Sequence, residues 1–102
     1  VTSALTDPAV LAVWLDDEGV ADLDWRARVP DPVIAVMAAL HAAGATNRVI
    51  GAVFADAAAV HTRRTGRPLG GTWRPTARAV ESARFAARRR AASAARRTRP
   101  AA

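Results

Sequence analysis

Apolar residues recur at intervals of three and four along three stretches of the chain, the period of helices with one buried face. Val10, Leu11, Trp14 and Leu15 form the first stripe. Thr6 or Asp7 suits its N-cap, Pro8 its first turn and Gly19 its end. Val33, Val36, Met37 and Leu40 form the second, widened by Ile34, with Asp31 as the cap, Pro32 behind it and Gly44 as the stop. Val49, Ile50, Val53 and Phe54 form the third, capped by Thr46 or Asn47. That pattern continues through Ala57 to Val60 and His61, and two readings stay open. One is a single helix over 48–64; the other is a break near Ala55 and Asp56, where Asp56 would cap a new helix. Over 23–29 the pattern partly alternates, which suits either a short extended segment or a helical turn started by Asp22 or Asp24.

Gly66-Arg67-Pro68 and Gly70-Gly71 mark a loop, with Trp73 expected to anchor it to the body. Pro75 and Thr76 then open a last helix that runs to about Arg97. Val80, Ala83, Phe85, Ala86 and Ala87 are its apolar material, and beyond Arg88 it has no large apolar side chain. Residues 88–102 are therefore expected to fray or stay disordered without a partner. The predicted fold class is all-α. It comprises a small three- to four-helix body over 7–75 and a basic helical extension over 76–102, partly disordered. No internal repeat and no sheet-forming strand pattern is visible. The uncharged stretches 32–47 and 49–55 fall short of the roughly 20 residues a membrane span needs.

Charge changes this picture more than composition does. Residues 1–60 carry eight acids and three arginines, a net −5, whereas 61–102 carry twelve arginines and the single acid Glu81, a net +11. Together they give the formal +6 of the chain. Every basic side chain is arginine, which pairs bidentately with phosphate and with guanine. Alanine, arginine and valine dominate as in a GC-rich coding sequence, so the placement of the arginines carries more weight than their number. Arg74, Arg78, Arg84, Arg88, Arg89, Arg90, Arg96, Arg97 and Arg99 follow one another against Glu81 alone, as a polyanion-binding segment would. Helical spacing puts Arg74, Arg78 and, more loosely, Arg84 and Arg88 on one side.

The stretch Ala42-Ala43-Gly44-Ala45-Thr46-Asn47-Arg48, with Ile50, Gly51 and Phe54 after it, resembles the opening of the helix-turn-helix in the DNA-binding domains of quorum-sensing and response regulators. The resemblance covers about residues 44–64. Asp56 stands where that family points a branched apolar side chain inward, and Val60 falls one residue early for its apolar anchor. The resemblance implies a recognition helix over about 57–64 in the major groove of duplex DNA, with His61, Thr62, Arg63 and Arg64 facing bases or phosphates. Arg48 joins them as a contact. The bland alternative packs Val60, satisfies His61 and leaves Arg63 and Arg64 at a solvated helix end. Gly66-Arg67-Pro68 is similar to the centre of the minor-groove hook, with Thr65 where that motif has arginine.

The expected function is therefore nucleic-acid binding, DNA ahead of RNA, in a transcription-regulating protein of the cytoplasm that is able to form oligomers. The alternatives are a phage or mobile-element assembly protein and a small helical adaptor for a protein partner. Asp16, Asp17 and Glu18 end the first helix at the negative pole of its dipole, where they form either a solvated end or an acidic patch for a basic partner. No enzyme is expected: there is no cysteine, serine-nucleophile motif, phosphate loop or metal-ligand spacing, and no cofactor or metal is implied. No basic stretch leads into an apolar run at the start, so no signal peptide is expected.

Overall fold

The computed structural model describes residues 5–98, and within them the chain forms four helices and no strand. They are α1 (Pro8–Asp17), α2 (Asp31–Ala42), α3 (Asn47–Thr65) and α4 (Ala77–Thr98). The all-α expectation holds. No helix among the described residues is long and apolar enough to cross a membrane.

Local chemistry sets most of the boundaries. Asp7 caps α1 by accepting from the Ala9 N–H at 3.0 Å, and Pro8 occupies the first turn, where its missing N–H costs nothing. Thr46 caps α3 by accepting from Val49 N–H at 3.2 Å. Gly66, at φ 73°, ends α3 in the left-handed conformation that glycine adopts without strain. At α2 the cap differs from expectation. Asp31 is already helical and makes no cap hydrogen bond. Extended Pro30 precedes it, and the Pro30 carbonyl accepts from Val33 and Ile34, while Asp31 pairs with Arg28 at 3.6 Å.

α3 is a single unbroken helix, so no turn forms between Ala55 and Asp56. Alanine-rich sequence favours continuity there, and the buried side chains Ile50, Phe54, Ala57 and His61 fall on one helical face only if the helix continues. α3 is the centre of the molecule, packed between α1 and α4, with α2 against α4 and α3. Leu11 and Leu15 of α1 meet Val33, Val36, Met37 and Leu40 of α2 and Ile50 and Phe54 of α3 in one continuous core.

Residues 20–29 form neither strand nor helix but a run of turns. They are held by the loop before α4. Trp25 is buried, donates its Nε1–H to Val20 O at 2.9 Å and takes Gly70 O on its own N–H at 3.1 Å. Gly70 N–H in turn donates to Ala21 O at 2.8 Å. A Cβ at Gly70 would stand 2.6 Å from the Trp25 ring, so the loop closes on the indole only because that residue has no side chain. Trp73 anchors the loop as expected, its ring 5.3 Å from Trp25 and 6.3 Å from Phe54.

α4 differs from expectation in how far it joins the body. Val80 and Ala83 belong to the core, so packing does not stop at residue 75. The helix then continues to Thr98, close to the expected end at about Arg97, and residues 88–98, expected to fray, are helical. Alanines at 91, 92, 94 and 95 supply propensity, and Arg97 donates to Ser93 Oγ one turn back at 2.7 Å. The molecule is accordingly elongated, 54 × 27 × 24 Å.

Candidate nucleic-acid interface

The arginines of α4 divide into three groups by what the body does to them. At 100° per residue, Arg78, Arg89 and Arg96 fall within about 20° of one another on the outward face, with Ser82 and Phe85 between them. Phe85 is exposed and carries the Arg89 guanidinium over its ring at 5.9 Å. Arg84 and Arg88 lie on the other flank, beside Ile34 and Ala38 of α2. Arg84 is half-buried and donates from Nη1 to Asn47 Oδ1 at 3.0 Å, so it ties α4 to the start of α3. The expectation that Arg84 and Arg88 share a side with Arg78 is thus corrected: Val80 and Ala83 fix the rotation of the helix and separate them. Arg90 is half-buried on the flank facing residues 25–29, and Arg97 is exposed near the end. Arg99 lies outside the described residues.

Between 25–29 and α4 runs a groove that the sequence did not announce. Its inner part, about 270 Å³, has Trp25, Val29, Ala83 and Ala86 in its walls, with Arg26, Arg28 and Arg90. Its outer part, about 530 Å³, is bounded by Arg26, Thr72, Arg74 and Arg78. Trp73, Ala79 and Ser82 line both parts, and no carboxylate lines either. Arg26 and Arg28 line this groove and lie outside the cationic set that the sequence pattern marks. They sit in the acidic half of the chain, and only the closure of Gly70 onto Trp25 brings them opposite α4.

The helix-turn-helix candidates fare unequally. Arg48, Thr62, Arg63 and Arg64 are exposed on α3, and the last two sit at its C-terminal end, where the helix dipole favours cations. His61 is not a contact residue: its side chain is fully buried, on the face with Phe54 and Ala57. Its Nε2 lies 3.3 Å from Asp22 Oδ1, and its Nδ1 is buried without a hydrogen-bond partner among the described residues. Arg67 is exposed but already engaged. Its Nε and Nη2 both donate to the two Asp22 oxygens at 3.1 Å, a bidentate fork. The Arg67 hydrogen bonds, ahead of that from His61, hold the Asp22 carboxyl below its ordinary value, and Asp22 in turn raises Arg67. Gly66-Arg67-Pro68 therefore closes the body onto residue 22 instead of standing out as a free hook.

Asp16, Asp17 and Glu18 are exposed at the end of α1, and no ion pair joins them to α4 among the described residues. Beside them Val10 and Val13 are 42% and 41% exposed, forming with Ala9 and Trp14 an apolar strip on the surface. No protein-family model, curated protein or solved structure matches the chain.

Proposed function

We propose that this protein binds nucleic acid, double-stranded DNA foremost, by laying the arginine face of α4 along the phosphate backbone. The observation that carries the reading is the alignment of exposed Arg78, Arg89 and Arg96 on a helix whose projecting half carries no acid. An α-helix about 10–12 Å across fits a major groove about 12 Å wide, and phosphate contacts of this kind need no fixed base geometry. Arg48, Arg63 and Arg64 on α3, with Arg74 before α4, add further cationic contacts. Thr46-Asn47-Arg48, which carries the resemblance to regulator helix-turn-helix domains, opens α3 after a short turn from α2. The resemblance puts its turn near Ala55 and Asp56, where α3 runs unbroken, so α4 and not a helix-turn-helix carries the binding, and in this reading the protein is a cytoplasmic regulator without enzymatic activity.

The test is a titration of random duplex DNA across a salt series. Each phosphate contact contributes about 0.9 to the slope of log affinity against log salt. Replacing Arg78, Arg89 and Arg96 together by Gln is expected to lower the slope by about 3, with the helical spectrum kept. An unchanged slope removes α4 from the interface. A second reading, self-assembly, is favoured by the exposed Val10, Val13 and Trp14 strip beside Asp17. Light scattering separates it, because a large closed oligomer in the absence of DNA points to an assembly protein.

A further inference from the structure

We infer that the groove between residues 25–29 and α4 holds a segment of single-stranded nucleic acid, a base resting against Trp73 and its phosphates on the arginine rim. This deepens the nucleic-acid reading above and rests on it. A uniform phosphate-binding face needs only cations. This groove has something more: an apolar floor made by Trp25, Val29, Ala83 and Trp73. Paired bases in a duplex keep their faces stacked on one another and offer proteins only edges and phosphates. An unpaired base has a free π-face, and an aromatic side chain inside a cationic channel is how single strands are held without sequence preference.

The rim suits the rest of the nucleotide. Arg26, Arg74, Arg78 and Arg90 stand around the floor, none with an ion-pair partner among the described residues, and no carboxylate lines the groove to compete for them. Arg26 comes from a different segment than the others, so it faces α4 across the groove. Ser82 lines the groove where its inner and outer parts meet and is exposed. Trp73 is already held by Trp25 and Phe54, so little side-chain freedom is lost when a base arrives. The outer part of the groove is continuous with the outward face of α4 through Arg78. A junction between duplex and single strand therefore finds both surfaces on one side of the molecule.

The test uses the full chain, a short oligothymidylate and a duplex of random sequence, read by tryptophan emission and by competition. The oligothymidylate is expected to bind with quenching of emission. Ala79→Leu, at a position that lines both parts of the groove and lies off the outward arginine face, fills the groove without changing charge and is expected to weaken the oligothymidylate about tenfold, the size of one lost base-stacking contact, while duplex affinity stays within about twofold. Arg26→Gln is expected to weaken the oligothymidylate more than the duplex. Equal losses on both ligands, or no loss of oligothymidylate binding in either variant, overturn the groove and leave duplex binding by α4 standing. Binding of neither ligand by the unaltered chain overturns both readings at once.

Discussion

The two halves of α4 share a helix and a composition, but the body treats them differently. From Ala77 to Ala87 the helix contributes Val80 and Ala83 to the core, and Arg84 is tied to Asn47. From Arg88 to Thr98 it buries no residue. The first half is helical because it is packed; the second is helical through alanine propensity and local side-chain contacts. The lesson is that charge does not separate the packed half from the projecting half in this chain. What separates them is whether an apolar side chain turns the helix toward α2 and α3: where Val80 and Ala83 do so, Arg84 is tied to Asn47 and Arg78 stays exposed on the outward face.

The largest expected effect comes from attacking the packed half. Val80 is wholly buried, and Val80→Asp places an unpaired charge in the core at a cost of about 4 kcal/mol. Thermal unfolding is expected to lose its cooperative transition or to move down by about 20 °C. A smaller effect is expected where α3 meets the chain entering α4. A Cβ at Gly51 would stand 2.9 Å from Pro75 O and 3.2 Å from Thr76 C. Overpacking of that kind costs about 1–3 kcal/mol, and the better helix propensity of alanine returns about 1 kcal/mol, so Gly51→Ala is expected to destabilise by about 1 kcal/mol in urea unfolding.

In the projecting half the sign of the contrast shows. Ala91→Gly with Ala95→Gly removes about 1 kcal/mol of helix propensity per site. Far-UV circular dichroism is expected to fall while the melting midpoint stays put; a lowered midpoint would mean that the two halves unfold together. Smallest is the acid limb. The Asp22 carboxyl is lowered by Arg67 and then by His61, so its contribution is fully present above the unfolded value near 3.8. It is lost as pH falls through the lowered folded value. Asp22→Asn is expected to flatten the fall in stability below about pH 4, and an unaltered acid limb would show that the Arg67 fork contributes nothing to stability.

Helix boundaries were legible wherever a capping side chain sits beside its own helix, as at Asp7 with Pro8 and at Thr46. His61 was legible too, in principle. It follows Ile50, Phe54 and Ala57 at intervals of four, three and four, which places it on the buried face whatever its polarity. Reading it as a DNA contact gave the motif precedence over the periodicity. The engagement of Arg67 was not legible, because its partner Asp22 lies 45 positions away and no local pattern links them. The groove was hidden for the same reason. Arg26 and Arg28 look like part of the acidic half until Gly70 folds against Trp25.

That closure also orders the folding of the chain. The contacts of Ala21, Asp22 and Trp25 with Arg67 and Gly70 span α2 and α3 entire, whereas each of those helices forms from neighbours in sequence. Loop-closure entropy must be met before such distant contacts return anything, so the seam is expected to form after the helices it encloses and to set the folding rate. The chain has no cysteine, so one engineered pair across the seam would have a single possible connectivity and would join its two sides in the unfolded chain before collapse begins.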